Sequence, residues 1–99
     1  MKRFIWNGFK NERLIRIHGV SFEELVAVME AGGVLDVIEN PNQLKYAGQS
    51  MFVVALRNYI YLIPHREDDR AIFLITAYPR RKFTKIYLRR DPDENVQAQ

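Results

Sequence analysis

Cysteine is absent from this 99-residue sequence, and glycine, proline and histidine are scarce. The lack of cysteine excludes disulfides, thiolate nucleophiles and cysteine-based zinc or iron–sulfur sites. No apolar run approaches the roughly 20 residues of a transmembrane helix, and the three apolar residues that follow Lys2 and Arg3 are too few for a signal peptide. The sequence therefore predicts one small cytoplasmic domain without a membrane partner.

Metal and cofactor signals are also sparse. The sequence has two histidines, and its acidic run at residues 67–69 lacks the spacing of a calcium loop. Gly32 and Gly33 lack the lysine and hydroxyl residue that follow the glycines of a phosphate-binding loop. We therefore expect neither a metal ion nor a cofactor.

Positive charge is distributed unevenly. The sequence has 15 lysines and arginines against 12 acidic residues, but residues 91–99 hold three of the acids and no base. Residues 80–90 hold six bases and no acid. A patch of this density favours a polyanion, either nucleic acid or an acidic protein segment. We predict a single domain over residues 1–90 and a flexible acidic tail over residues 91–99.

The first third of the chain predicts a short strand followed by two helices. Residues 4–6 form the strand, and residues 10–17 form a helix that buries Leu14 and Ile17 before Gly19 ends it. The second helix has an N-terminal capping box, in which Ser21 precedes Glu24 by three residues. Its buried face follows the i, i+3, i+4, i+7 pattern through Phe22, Leu25, Val26 and Met29.

The remainder of the chain predicts four strands and a final helix. The strands are expected at residues 34–38, 52–56, 59–63 and 71–78. Arg57 and Asn58 join the second and third of these strands as a tight hairpin. Pro64 is expected to stop the third strand before a charged loop, and Pro79 to open the last helix, which buries Phe83, Ile86 and Tyr87.

This order, β-α-α-β-β-β-β-α, indicates an α+β fold. Consecutive strands with short connections favour an antiparallel sheet, and we expect the helices to be packed on one face of it.

Two blocks of the sequence match a known pattern in order and spacing. Trp6, Lys10 and the run His18-Gly19-Val20-Ser21-Phe22-Glu23-Glu24 form the first block, and residues 76–87 form the second. These blocks resemble the signatures of the BrnT-like toxins of bacterial type II toxin–antitoxin pairs. The sequence differs from the family at Asn7 and Leu14, where the family has Asp and Asn, and in lacking an acidic residue in the last helix.

The resemblance implies a RelE/ParE-like fold and a ribonuclease-type toxin that represses translation. It also implies a ribbon-helix-helix antitoxin as partner, which holds the toxin inactive. Operator DNA would be contacted only through the toxin–antitoxin complex. We assign Lys10 and His18, from the first block, to RNA contact, although His18 also suits the end of a helix, where positive charge is favourable.

RNA cleavage without a metal needs groups that transfer protons and stabilise the charge of the phosphorane. His65 is the preferred proton-transfer residue because we expect it at a loop end on the rim of the sheet. Arg66, Arg81 and Tyr87 are the other catalytic candidates. The remaining RNA contacts are assigned to cationic side chains: Arg57, Arg80, Lys82 and Lys85.

Two alternatives to an endoribonuclease toxin that acts on mRNA stay open. The first is a ParE-like toxin that binds a protein target without cleaving RNA. The second is a catalytically inactive relative whose basic helix only docks an antitoxin. The three hypotheses differ in what the basic surface contacts.

Overall fold

The computed structural model describes residues 2–89, so the predicted tail over residues 91–99 lies outside the described residues. The chain is α+β within this range, as the sequence predicts. The strands are β1 (Arg3–Trp6), β2 (Val34–Glu39), β3 (Ser50–Leu56), β4 (Tyr59–Glu67), β5 (Ala71–Leu74) and β6 (Tyr78–Pro79). The helices are α1 (Gly8–His18), α2 (Phe22–Glu30) and α3 (Arg81–Leu88). The predicted order is confirmed except that the last strand is divided into β5 and β6.

The strands form one mixed sheet in the order β1-β5-β4-β3-β2, and β6 pairs with β4 beyond the end of β5. Strands β2 to β5 pair antiparallel. Strand β1 runs parallel to β5, so the prediction of a purely antiparallel sheet is wrong. The signal for this pairing is not local, because parallel neighbours are joined by long crossovers and β2, β3 and β4 lie between β1 and β5 in the chain.

The hairpin between β3 and β4 turns at Arg57 and Asn58, as predicted. Both residues have positive φ, 53° and 63°. Two consecutive left-handed residues define the type I′ turn, whose twist matches that of the flanking strands.

Strand β4 continues through Pro64 to Glu67, so the prediction that Pro64 stops it is wrong. The carbonyl of Pro64 accepts a hydrogen bond from the Ile75 amide at 2.9 Å. The N and O of one antiparallel residue point to the same neighbour. The missing N–H of Pro64 therefore faces the break between β5 and β6, where the strand ladder is interrupted.

Helix α2 begins with the predicted capping box, in which the Ser21 side chain accepts from the Glu24 amide and the Glu24 side chain accepts from the Ser21 amide. Its four predicted apolar residues are all buried, and Leu25 is completely inaccessible. Burial of each such side chain stabilises the fold by about 1.5–3 kcal/mol.

Two separate apolar cores lie on the two faces of the sheet. Helices α1 and α2 cover the larger core together with Phe52, Val54 and Ile63. Helix α3 covers the smaller core through Phe83, Tyr87 and Leu88. The prediction that the helices share one face is therefore wrong. The uninterrupted apolar runs of β3 and β4 require cover on both faces, since alternate residues point to opposite sides.

Three local expectations are also corrected. Ile17 and Ile86 are more than half exposed, although the sequence analysis placed both in buried faces. The inward residues of α3 are instead Phe83, Thr84, Tyr87 and Leu88. Pro79 belongs to β6, and α3 begins two residues later. Across residues 2–89, the helices are too short or too polar to cross a membrane.

Candidate nucleic-acid interface

A cleft with a volume of about 400 Å³ separates α1 from the β5–β6 break. One wall is residues 75–78, and the other is a single face of the helix. That face consists of Lys10, Arg13, Leu14, Ile17 and His18. These positions recur at helical spacing, so they lie above one another on α1. Every ionisable group among these lining residues other than Tyr78 is basic, which makes the cleft attractive to anions.

Helix α1 is fixed in place by bonds at its start and its middle. The Asn7 side chain accepts from the amides of Phe9 and Lys10, which caps the helix. Asn11 is buried, its Oδ1 accepts from the Phe22 amide at 2.8 Å, and its Nδ2 donates to Glu23 at 2.7 Å. The bond from Asn11 lowers the pKa of the Glu23 carboxyl. Asn11 thus joins α1 to the start of α2. This link fixes the orientation of α1, whose cationic face lines the cleft.

The start of α3 lies beside this cleft. Arg80 follows Tyr78, a cleft residue, by two positions, so their Cα atoms are within about 7 Å. Thr84 is fully buried, and its hydroxyl accepts from the Ile60 amide and donates to the Arg80 carbonyl, both at 2.9 Å. These two bonds attach the first turn of α3 to β4. The predicted RNA contacts Arg80 and Lys82 and the catalytic candidate Arg81 therefore lie together at the start of α3, and all three are exposed.

Lys85 lies one turn beyond the start of α3 and is exposed as well. It extends the basic surface of the helix away from the cleft, because α3 runs from the strand break across β4. Lys85 is therefore a peripheral member of the predicted set.

Arg57 is engaged within the fold. Its guanidinium pairs with the Glu24 carboxylate and donates to the Gly19 carbonyl at 3.0 Å. It connects the β3–β4 turn to the end of α1 and the start of α2. These contacts give Arg57 a structural role that does not require RNA. The carboxylate of Glu24 also offsets the positive charge of Arg57.

His65 is neither in a loop nor exposed, so that prediction is wrong. It lies within β4, is 4% exposed and stacks on Phe52 with ring centroids 3.7 Å apart. Its Nδ1 hydrogen-bonds with the Ile63 carbonyl at 3.1 Å, and burial lowers its pKa. A side chain held in the larger core does not reach a bound polymer, and His65 is not part of the cleft.

Arg66 is exposed but lies apart from the other cations. The Arg80 amide bonds to Ile60, and Arg66 is six residues further along β4, about 20 Å at the usual strand rise. The prediction groups Arg66 with the start of α3, and the structure separates them.

Tyr87 anchors α3 to β2. Its hydroxyl donates to the Asp36 carboxylate at 2.7 Å, and this bond raises the pKa of the phenol. The hydroxyl is directed toward Asp36 in β2, away from the start of α3. Tyr87 is not among the residues that line the cleft.

Sequence reasoning missed Arg13. Its signal is its position three residues after Lys10 and four before Ile17, which places it on the same face of α1. Within this cleft, Lys10 and Arg13 can neutralise a phosphodiester, and the exposed His18 places an imidazole beside them. Residues 2–89 contain no cluster of three or more His, Asp or Glu side chains suited to a metal ion.

Comparison of the chain with protein-family models, curated proteins and solved structures gave no match.

Proposed function

We propose that this chain is the toxin of a bacterial type II toxin–antitoxin pair, with a RelE/ParE-like fold, and that it binds and cleaves RNA without a metal ion. The observation that carries this proposal is the cationic face of α1 opposite the strand break. It joins Lys10, Arg13 and His18 in one cleft, next to the exposed bases at the start of α3.

The chemistry follows from the residue types. The 2′-hydroxyl of RNA is already next to its phosphodiester, so the protein must orient the strand, move protons and stabilise charge. The 2′-oxygen attacks the phosphorus and the P–O5′ bond breaks, which yields a 2′,3′-cyclic phosphate and a 5′-hydroxyl. His18 takes the proton of the 2′-hydroxyl and then gives it to the departing 5′-oxygen, while Lys10 and Arg13 stabilise the phosphorane. Arg80, Arg81 and Lys82 hold the flanking phosphates. This assignment replaces His65 by His18, because only His18 lies in the cleft.

The partner in this proposal is a ribbon-helix-helix antitoxin. An acidic, partly apolar segment of it would cover the cleft and the exposed bases of α3, and it would fold on this surface as it binds. Operator DNA would then contact the antitoxin part of the complex. Expression of the chain alone should arrest bacterial growth, and co-expression of the antitoxin should restore it.

The central test compares His18→Gln, a double Lys10→Ala/Arg13→Ala variant and Arg16→Ala in binding and cleavage of a single-stranded RNA. Arg16 is the matched control, because it has the same charge on the same helix but is absent from the cleft lining. The His18 variant should lose about 100-fold or more in cleavage rate and keep its affinity. The double variant should bind more weakly and lower the slope of log affinity against log salt by about 0.7 per contact.

Equal cleavage by His18→Gln and the unmodified chain would remove His18 from the mechanism. Equal salt slopes for the double variant and Arg16→Ala would reject the cleft as the RNA site.

A second candidate is a toxin that binds its target without hydrolysis. The positions of His65 and Tyr87 favour it, because neither predicted proton-transfer group faces the cleft. Growth arrest by a chain that binds RNA or a protein and leaves RNA intact would select this candidate.

A further inference from the structure

A second, smaller cavity of about 210 Å³ adjoins the cationic cleft. Asn40, Tyr46, Gln49 and Pro64 line only this second cavity. Three residues line both cavities: Ile75, Thr76 and Tyr78. The two cavities therefore meet at the break between β5 and β6. An RNA strand bound in the cleft would pass the entrance of the second cavity.

Gln49 brings an unused donor to this cavity. Its side chain is only 8% exposed, and its Oε1 accepts from the Asn40 amide group at 3.3 Å. Its Nε2 has no hydrogen-bond partner within residues 2–89. Described side-chain polar atoms that are sealed from solvent all have partners, so Nε2 keeps some access to solvent, and Gln49 lines the second cavity. A donor in this position can bond to a carbonyl oxygen of a bound ligand in place of solvent.

The walls around Gln49 are suited to a flat ring. Tyr46 and Tyr78 both line the cavity. The hydroxyl of Tyr78 is held by the Met51 sulfur at 3.6 Å, and Lys45 places its ammonium group 5.3 Å from the centre of the Tyr46 ring. Aromatic rings of this kind stack on unpaired bases. The volume is below the roughly 300–1,000 Å³ of sites for drug-sized ligands, so it fits a small ring.

Arg66 lies on the same side of the sheet as this cavity. Successive strand residues alternate in direction, and His65 faces the larger core, so Pro64 and Arg66 face the other side. Pro64 lines the cavity, and Arg66 is exposed two residues further along β4. The cation that stands apart from the cleft is therefore next to the second cavity, where it can contact a neighbouring phosphate.

We infer that the second cavity is a nucleobase subsite that takes a pyrimidine with an exocyclic carbonyl, foremost uracil, from the RNA strand held in the cleft. The Oε1 atom of Gln49 is occupied by Asn40, so Gln49 recognises the base only as a donor. Uracil presents two carbonyl oxygens to such a donor on a single ring, whereas adenine presents only ring nitrogens as acceptors, on a larger two-ring base. The donor and the small volume of the cavity together favour uracil. The inference rests on the proposed function, since the cleft must hold the strand.

The test measures fluorescence anisotropy of eight-residue oligo(U) and oligo(A) RNAs with the full chain. The unmodified chain should bind oligo(U) about tenfold more tightly than oligo(A). Gln49→Glu keeps an acceptor for Asn40 and removes the donors, so this ratio should fall to about one. The added negative charge should lower the affinity for both oligonucleotides by the same factor. Oligo(A) stacks on itself in solution, but this effect is the same for every variant and cancels when their affinity ratios are compared.

Gln49→Met, which has a similar shape and no donor, should give the same loss of preference, and thermal unfolding verifies that each variant is folded. Lys10→Ala and Arg66→Ala should weaken both oligonucleotides and preserve the ratio. An unchanged preference in both Gln49 variants, or equal affinity of the unmodified chain for the two RNAs, would overturn the subsite and leave the proposed function intact. Failure of the unmodified chain to bind either RNA would overturn both.

Discussion

The two faces of the sheet are covered in different ways. On one face, α1 and α2 complete a core that includes Phe22 and Leu25, which are essentially inaccessible to solvent. On the other face, α3 covers a smaller core, and its one fully buried side chain is the hydroxyl residue Thr84. Both cores are apolar, but the helix over the smaller core is in addition attached to the sheet by the hydrogen bonds of Thr84 and Tyr87.

This difference affects where basic residues can be placed on α3. Helix α3 is anchored by Thr84 at its start and by Tyr87 on Asp36, and three of its other six positions, Arg81, Lys82 and Lys85, are basic. The arrangement leaves Arg80, Arg81 and Lys82 exposed beside the cleft.

The largest expected effect is on the α2 face. Leu25→Ala removes a completely buried side chain and should lower the free energy of unfolding by about 3 kcal/mol. Ile86→Ala is the control on the α3 face, where the side chain is 57% exposed, and it should change stability by about 0.5 kcal/mol or less. Urea unfolding measures both. Similar losses of unfolding free energy in the two variants would show that the two faces do not differ in this way.

An intermediate effect is expected at the polar anchor of α3. Thr84→Val keeps the shape of the side chain but leaves the Ile60 amide without its acceptor, so stability should fall by about 2 kcal/mol. Thr76→Val, at an exposed position, is the matched control. A neutral Thr84→Val would mean that α3 is held by its aromatic contacts alone.

The smallest effect is a pH dependence from His65. Burial lowers the pKa of His65 in the folded chain, whereas the unfolded chain takes up this proton near the ordinary value of 6.5. Below that value the unfolded state binds more protons, so stability should fall as the pH decreases from about 7 to 5. His65→Gln should flatten this dependence, and the exposed His18→Gln should retain it. Urea unfolding midpoints are measured across this pH range. If the His65 variant lost stability with decreasing pH as steeply as the unmodified chain, His65 would not be the cause of the pH dependence.

Local signals were sufficient for α2 and for the β3–β4 hairpin. The capping box and the spacing of Phe22, Leu25, Val26 and Met29 act within one helix, so the sequence alone predicts that helix and its buried face. Arg57 and Asn58 likewise mark their turn through backbone preference. The expectation of an α+β fold rested on such elements and is confirmed.

Long-range relations were beyond local reasoning. The parallel pairing of β1 with β5 brings together residues nearly seventy positions apart, such as Arg3 and Ala71. His65 looked like a loop residue because it follows Pro64, but the missing N–H of that proline falls opposite the strand break and costs no ladder bond. In the candidate site, Lys10 and His18 were identified from sequence. Arg13 and Gln49 were missed because their importance depends on the cavities that only the fold creates.

The bulge in β2 has a consequence for self-association. Strand β2 is an outer strand with no neighbour on its free side within residues 2–89, and its register shifts between Val34 and Asp36. Outer strands of this kind invite pairing with another chain, and a bulge bends the backbone out of a usable template. Regular pairing resumes at Asp36, so only four residues remain as a straight ladder before Asn40. The bulge therefore shortens the part of the β2 edge with which another chain could pair as a regular strand.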